Sequence, residues 1–361
     1  MHFKLLTHFF DAYLESLKKK SLEGCVGMNG YFQTNEYFGN YFIPNYKKAT
    51  GGMYVTGKWH KRKMSAEAGV RYDVNQFQIW KWENNVLINP THLYHGVAAN
   101  FAARYQMSYI TLHASTGTSW RAPFVNELYS YGVHHSAASF EIGDRTLKPE
   151  RNFHNELTLD IHYKHKLDAE LTVYYNYIHD YIIQQTVLPA TLTIRGAFPT
   201  FQFTQANAAF SGIEFSSTMP IYKAYHMHVK GNLLQAKNLE TRTYLPLIPP
   251  ARAELELNGP LYSKEKTKIE WALTGSYTAM KQHIAPGTDY VMPPHDYFLL
   301  SVDVLAVLPI KQQLIQINVG ANNLLNTRYR DYMDRTRYFA DEMGRTIFLK
   351  FSIPFQFTQK K

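Results

Sequence analysis

The sequence predicts an all-β protein, and three observations support this prediction. Apolar and polar residues alternate with a period of two, for example at 157–164 and 251–257, which is typical of strands with one apolar face. The predicted strands at 65–80, 168–182 and 266–281 are longer than the roughly five or six residues of most soluble strands. Short and long connections also alternate along the whole chain.

The connections between the predicted strands fall into two classes. The short ones lie near 62–64, 106–107, 164–167, 221–223, 263–265 and 309–311. The long ones lie near 34–50, 81–95, 119–153, 183–199, 238–249, 282–294 and 326–344. Outer-membrane barrels alternate short periplasmic turns with longer extracellular loops and have even strand numbers. The pattern therefore predicts a transmembrane antiparallel up-and-down β-barrel of about 14 strands, in preference to a soluble β-sandwich.

The composition excludes several other classes of protein. The 361 residues are 45% apolar, and their mean hydropathy is −0.34. Without an apolar run of about 18 residues, the chain is not a helical membrane protein. The one cysteine, Cys25, excludes a disulfide within the chain and a multi-thiolate zinc site. The net charge of +9 comes from dispersed Lys and Arg, so we expect no nucleic-acid partner.

Tyrosine and phenylalanine dominate an aromatic content of 15%, with 27 Tyr and 22 Phe. Aromatic residues with a polar tip are favoured where an apolar environment meets water. Those that we expect near strand ends, as in the aromatic girdles of membrane barrels, are Tyr54, Trp59, Trp80, Trp82, Tyr94, Tyr163, Tyr181, Tyr222 and Tyr297.

The first 21 residues differ from the rest of the chain. Apolar residues such as Leu6, Phe10 and Leu14 fall near helical spacing, which would suit a short amphipathic helix. The other interpretation is the remnant of a preceding strand. The segment has neither an unbroken apolar stretch nor a small-residue cleavage site, so we do not expect a secretory signal peptide. We expect this part to be the interior of a larger protein.

Three motifs occur in the order and spacing of one known family. The first motif comprises GTSWRAPFVNELY at 117–129, GVHH at 132–135, FEIGD at 140–144, LKPE at 147–150 and NEL at 155–157. The second is LPLIPPAR at 245–252, and the third is NNLLNTRY at 322–329, with Gly344, Arg345 and an aromatic last strand after it. Together they resemble the barrel of TonB-dependent outer-membrane receptors of the siderophore, haem or cobalamin type over residues 23–357.

The resemblance implies the C-terminal part of a 22-stranded barrel whose lumen holds a plug. The sequence contains neither a plug nor a TonB-contacting box, so we expect a truncated receptor rather than a split receptor or a smaller closed barrel. The expected organisation is an N-terminal segment at 1–21, a partial barrel at 22–357 and a tail at 358–361. The expected location is the Gram-negative outer membrane. The expected partners are outer-membrane lipid, a small-molecule ligand and, through the plug, the TonB energy-coupling complex.

The long connection at 119–153 contains the first cluster of candidate ligand-binding residues. Its members are Arg121, Asn126, Glu127, Tyr129, Tyr131, His134 and His135. Imidazoles and phenols could ligate haem iron or an iron chelate. The alternative, which we favour, is that they order the loop, because adjacent histidines on an extended segment point in opposite directions. We expect Arg121 to pair with Glu127 and to brace the base of the loop.

A second candidate cluster lies in the last long connection and includes Tyr332 and Arg335 among many charged neighbours. It could form a polar, aromatic mouth for an anionic chelate, or a loop held by mixed ion pairs, which contribute little when exposed. We favour the second interpretation. The sequence shows no nucleophile elbow, P-loop or HExxH motif, so we expect neither an enzyme nor a cofactor or structural metal.

The predicted function is the barrel portion of a receptor that takes up an iron chelate, haem or cobalamin-like ligand. Two alternatives stay open at this point. One is a self-closed, porin-like channel for passive solute flow, and the other is a barrel that serves as an adhesin or an enzyme. The sequence does not identify the ligand.

Overall fold

The computed structural model describes residues 2–16, 21–39, 42–164, 166–310 and 313–354, and within them 18 strands join one sheet. The strands are β1 (His2–Glu15), β2 (Leu22–Phe38), β3 (Asn45–Lys61), β4 (Met64–Glu83), β5 (Val86–Ile88), β6 (Thr91–Gln106), β7 (Ile110–Arg121), β8 (Tyr131–His134), β9 (Ser139–Ile142), β10 (Glu150–Tyr163), β11 (Leu167–Thr193), β12 (Gly196–Tyr222), β13 (Tyr225–Asn238), β14 (Arg252–Lys264), β15 (Thr267–Thr278), β16 (Tyr297–Ile310), β17 (Gln313–Asn322) and β18 (Thr346–Ser352). Helical structure in these residues is limited to α1 (Val125–Tyr129) and two short 3-10 helices, His135–Ala137 and Arg335–Tyr338. The predicted all-β fold is confirmed.

The sheet is an antiparallel meander in which each long strand pairs with the next long strand along the chain. The short strands β5, β8 and β9 lie in connections, and β9 adds a parallel pairing to β12. Within the described residues no pairing joins β1 to β18. The up-and-down topology agrees with the prediction from alternating connections.

The predicted short turns lie at one end of this meander, between paired strands such as β3 and β4 or β14 and β15. The long connections at the other end are 122–149, 239–251, 279–296 and 323–345. Three predicted loops are largely strand. β2 and β3 occupy most of 34–50, and the β4–β5 hairpin with the start of β6 occupies most of 81–95. β11 and β12 continue through 183–199 as a hairpin of two 27-residue strands. The pairing register of that hairpin shifts between Val187 and Thr191, as at a β-bulge.

One face of the sheet is an apolar belt. Leu157, Val173, Ile213 and Leu233 lie side by side on four successive strands, because each is the register partner of the next. All four are between 38% and 48% exposed, which a water-soluble protein rarely allows over so long a surface. Their neighbours on the opposite face are polar: the hydroxyls of Thr158 and Thr172, for example, are 2.8 Å apart. The belt is the face that suits lipid.

The N-terminal segment forms strand β1, paired with β2 from His2 to Glu15, rather than a short helix. Leu6, Phe10 and Leu14 share one face of the strand, and Phe9 and Tyr13 share the other. Apolar residues on both faces hide the period of two, which explains the ambiguity of the sequence pattern. At the other end of the chain, the predicted strand positions Phe355 and Phe357 and the tail at 358–361 lie outside the described residues.

Candidate functional site

The long connections fold inward over one end of the sheet, and the first of them, 122–149, begins with a charged cluster. The guanidinium of Arg121 donates to Glu127 at 2.7 Å and to Glu150 at 2.9 Å. The same carboxylate of Glu127 accepts from the N–H of Phe124 at 2.7 Å, and Glu150 accepts from the N–H of Ile182 at 2.6 Å. The predicted pairing of Arg121 with Glu127 is therefore present, and it ties the base of the loop to β10 and β11.

Helix α1 docks on the inner face of the sheet directly after this cluster. Leu128 and Tyr129 are almost fully buried and pack in one apolar cluster with Phe77 of β4 and Phe203 of β12. Because α1 has only five residues, burial of this face rather than helix propensity holds it in place. The loop thus narrows the mouth of the sheet and fixes where its polar side chains lie.

A cavity of about 430 Å³, which we call the upper cavity, lies between this loop and the last long connection. Its lining includes three of the predicted site residues, Asn126, His134 and Arg335, together with Glu141 and Gln184. The carboxylate of Glu141, 3% exposed, is 2.9 Å from Nδ1 of His134 and 3.5 Å from Nη1 of Arg335. The structure therefore brings residues of both predicted clusters to one buried carboxylate.

Arg335 is the main cation of the upper cavity. Its guanidinium donates to the side-chain oxygen of Gln184 and lies 4.3 Å above the ring of Phe201. Burial lowers the pKa of the Arg335 guanidinium from its usual value, and the charge of Glu141 opposes this effect. Arginine stays protonated even so, which leaves a fixed positive charge with donors on the cavity wall.

A second buried pair anchors the last long connection. Arg337 donates to Asp289 at 2.6 Å, and the side chains of both residues are at most 5% exposed. The hydroxyl of Tyr338 also donates to Asp289 at 2.8 Å, and Nε of Arg337 donates to the carbonyl of Tyr332 at 3.0 Å. Burial, the largest cause, raises the pKa of the Tyr338 hydroxyl, and Asp289 adds to this effect. This cluster joins the connections 279–296 and 323–345.

The other predicted site residues do not line the upper cavity. Tyr332 is 3% exposed, and its hydroxyl accepts from the N–H of Leu247 at 3.2 Å. It therefore joins the last connection to the connection 239–251. Tyr129 is buried with its hydroxyl 2.7 Å from Nε2 of His92, and burial raises its pKa to about 12. Tyr131 is exposed and lies edge-on to Phe140. His135 contacts Arg195 at 3.3 Å, whereas His134 contacts Glu141. The two histidines do not share an extended segment, because a 3-10 helix begins at His135.

A larger cavity of about 960 Å³, the lower cavity, lies on the inner face of the sheet beneath the last connection. Its lining carries more carboxylates than cations, and Asp331 there accepts from Arg252 at 2.5 Å and from Tyr297 at 3.0 Å. Met333 and Asp334 line both cavities. A short piece of the last connection is thus the wall between the upper cavity and the inner face of the sheet.

Sequence reasoning missed Glu141, Gln184, Asp289 and Phe201 as parts of these clusters. Glu141 lies in the first motif, which was a usable signal, but the other three carry no local pattern. Among the described residues no group of His, Cys, Asp or Glu could hold a metal ion. No helix in the described part of the chain is long and apolar enough to cross a membrane.

Comparison with known proteins connects this architecture with one group. The family model described as TonB dependent receptor-like, beta-barrel matches residues 12–324. The structure of the copper transporter OprC superposes with a TM-score of 0.76 at 16% identity, over 97% of this chain and 58% of OprC. The FrpB iron transporter from Neisseria meningitidis (F3-3 variant) gives 0.68 at 14% identity, over 96% and 54% of the two chains. The ferric-catecholate import receptor Fiu from E. coli K12 gives 0.66 at 14% identity, over 96% and 54%. At these identities the likeness concerns the fold, and the chain spans about half the length of these proteins.

Proposed function

We propose, from the premise that this chain belongs to the TonB-dependent receptor-like β-barrel family, that its parent receptor takes up an iron chelate, haem or a cobalamin-like ligand. The family consists of outer-membrane receptors and transporters rather than enzymes, so the apolar belt around Leu157 and Val173 faces outer-membrane lipid in this account. The long connections are then the extracellular ones.

The observation that carries the proposal is the convergence of His134 and Arg335 on one cavity at the extracellular end. The volume of about 430 Å³ falls within the range of small-molecule sites. Arg335 supplies a fixed positive charge, and the amides of Asn126 and Gln184 supply further donors or acceptors. These groups suit an anionic chelate with several oxygen atoms, because charge-assisted hydrogen bonds to oxygen are the stronger ones.

Glu141 limits which ligands fit the upper cavity. Its buried carboxylate neutralises part of the charge of Arg335 and lies 2.9 Å from the imidazole of His134, so a ligand anion has to compete with it for Arg335. A chelate that carries its own bound metal cation reduces this repulsion, because the metal charge opposes that of the carboxylate. We therefore favour a metal chelate over a bare organic anion.

Transport of the ligand beyond the upper cavity requires the whole receptor. In this proposal the plug and the TonB energy-coupling complex act on the ligand after it binds, and the wall formed by Met333 and Asp334 lies on the route inward. The porin-like alternative requires open passage past that wall without a ligand-binding step.

A binding titration of the purified 361-residue chain in detergent tests the proposal. Ferric catecholate, ferric hydroxamate, haemin and cyanocobalamin are titrated separately, with tryptophan quenching as the signal. We expect one of them to bind saturably and Arg335→Ala to weaken that binding at least about tenfold, as loss of a charged hydrogen-bond donor does. Arg242→Ala, an exposed residue of the connection 239–251, is the matched control. Saturable binding of none of the four, or equal binding by both variants, would contradict the proposal.

A further inference from the structure

A third cavity lies at the other end of α1, away from the upper cavity. It has a volume of about 470 Å³ and opens between the tip of the β4–β5 hairpin, the β2–β3 connection and the residues that follow α1. We call it the rim cavity. It shares no lining residue with the upper cavity, so its chemistry is separate from the proposed uptake site.

Two cations in the rim cavity share one carboxylate. Nζ of Lys81 is 3.1 Å from Glu83, and Arg145 pairs with the same oxygen of Glu83. Lys81 also donates to the backbone carbonyl of Tyr129 at 3.3 Å, and the Arg145 guanidinium lies 5.0 Å above the ring of Tyr129. Lys81 and Arg145 together exceed Glu83 by one positive charge, and the other lining residues carry no charge. The lining therefore favours an anion.

Ser130 lines the rim cavity, and its hydroxyl is buried next to the cavity without a partner in the described part of the chain. The residue is 3% exposed. Its backbone groups are both used: the N–H donates to Asn126 at 2.9 Å, and the carbonyl accepts from Gly143 at 2.8 Å. A buried hydroxyl left without a partner is costly. Because this Oγ is inaccessible to solvent, the Ser130 side chain has to rotate towards the cavity before a ligand oxygen can remove that penalty.

Aromatic side chains complete the rim cavity on its outer side. Trp82 is 56% and Tyr131 is 65% exposed, and both line the cavity. Flat aromatic faces with a polar edge can pack against the apolar face of a sugar ring while its hydroxyls stay in water. In the proposed orientation this rim lies at the extracellular end of β4, whose 20 residues exceed the about 9–11 residues with which a strand crosses the hydrocarbon.

We propose that the rim cavity binds a phosphorylated sugar. Arg145 and Lys81 hold the phosphoryl oxygens, and Trp82 and Tyr131 pack against the ring. The Ser130 side chain rotates towards the cavity and donates its hydroxyl to one phosphoryl oxygen. The phosphate takes over from Glu83 as the partner of Arg145. The same chemistry is available from a glycolipid headgroup in the membrane and from a soluble sugar phosphate.

Calorimetric titration of the purified full chain in detergent tests the site with two probes, glucosamine 1-phosphate and lipid A in mixed micelles. We expect Arg145→Gln to weaken binding about tenfold or more and Ser130→Ala to weaken it about threefold to tenfold. The control Arg242→Gln should stay within about twofold of the native chain. If both probes bind, the phosphorylated sugar alone is sufficient as the ligand. If lipid A binds and glucosamine 1-phosphate does not, the ligand is a membrane glycolipid.

The variants also distinguish a loss of binding from a folding defect. Ser130→Ala removes an unpaired hydroxyl, so its thermal midpoint should equal or exceed that of the native chain, whereas its affinity should fall. Failure of the native chain to bind either probe overturns the proposal. So does native affinity in both Arg145→Gln and Ser130→Ala. Neither result affects the uptake site, because the titrations with iron chelates, haemin and cobalamin report on Arg335 in the upper cavity.

Discussion

Replacement of Asp289 by Ala should release the last long connection from the barrel mouth. Asp289 is the carboxylate partner of the Arg337 guanidinium at 2.6 Å, and the Arg337 side chain is 1% exposed. Within the described residues Nη1 of Arg337 already lacks a partner, so loss of Asp289 leaves the charge without compensation. Removal of one member of a buried ion pair costs about 3–5 kcal/mol. At about 1.4 kcal/mol for each factor of ten, local opening should become roughly two to four orders of magnitude more frequent.

Hydrogen exchange measured by mass spectrometry reports this opening directly, because protected amides of a loop exchange through local unfolding. In the Asp289→Ala variant we expect faster exchange in peptides from 323–345, and unchanged exchange in the paired residues of β14 and β15. The double variant Asp289→Leu with Arg337→Met should recover much of the protection, since apolar residues of similar size can replace a buried pair. Unchanged exchange of the loop in Asp289→Ala would refute the argument that the pair anchors it.

Three further predictions concern other parts of the molecule. Arg330 and Arg328 hold the pKa of Asp341 below its ordinary value of 3.8, so its stabilisation of the last connection is complete above that pH and is lost as pH falls below it. Proteolysis of the connection followed against pH should show this loss, and Asp341→Asn should remove the dependence. On the apolar belt, Leu157→Arg should impair membrane insertion by about 2–4 kcal/mol if the site lies near the bilayer midplane, whereas Thr158→Arg on the inner face should insert normally in a detergent-to-vesicle folding assay. Glu127→Ala removes one of the two carboxylates that hold Arg121 and the acceptor of the Phe124 N–H, so hydrogen exchange of α1 should rise while that of β7 stays unchanged.

Sequence patterns predicted the sheet well because its determinants are local. The period of two and the tight turns follow from neighbouring residues, and the three motifs identified the family that the match over residues 12–324 confirms. The hairpin at 183–199 was missed because its strands continue past the neighbouring long strands, where they pair with each other and with the short strand β9. β1 was ambiguous because Phe9 and Phe10 place aromatic rings on both of its faces.

The site was predicted only in part, for a physical reason. The pairing of Arg121 with Glu127 joins residues six positions apart, and a sequence motif can carry such a contact. Arg335 and Glu141 are 194 positions apart, and Arg337 and Asp289 are 48 positions apart. These contacts depend on how separate loops fold over the barrel mouth, and the alternation of apolar and polar residues along the sequence carries no information about that. Tyr332 was placed among ligand-binding candidates, whereas the structure buries it and bonds its hydroxyl to the connection 239–251.

The central claim is that the upper cavity lies outside the cell and holds the ligand. Accessibility of an engineered cysteine at Ser136, an exposed residue that lines the cavity, tests both parts in a Cys25→Ser background. A membrane-impermeant maleimide should label Ser136→Cys on intact cells, and the ligand found by titration should protect it. Lys223→Cys, in a short turn, should react only after lysis. Labelling of Lys223→Cys but not of Ser136→Cys on intact cells, or labelling of Ser136→Cys that the ligand does not change, would contradict the account.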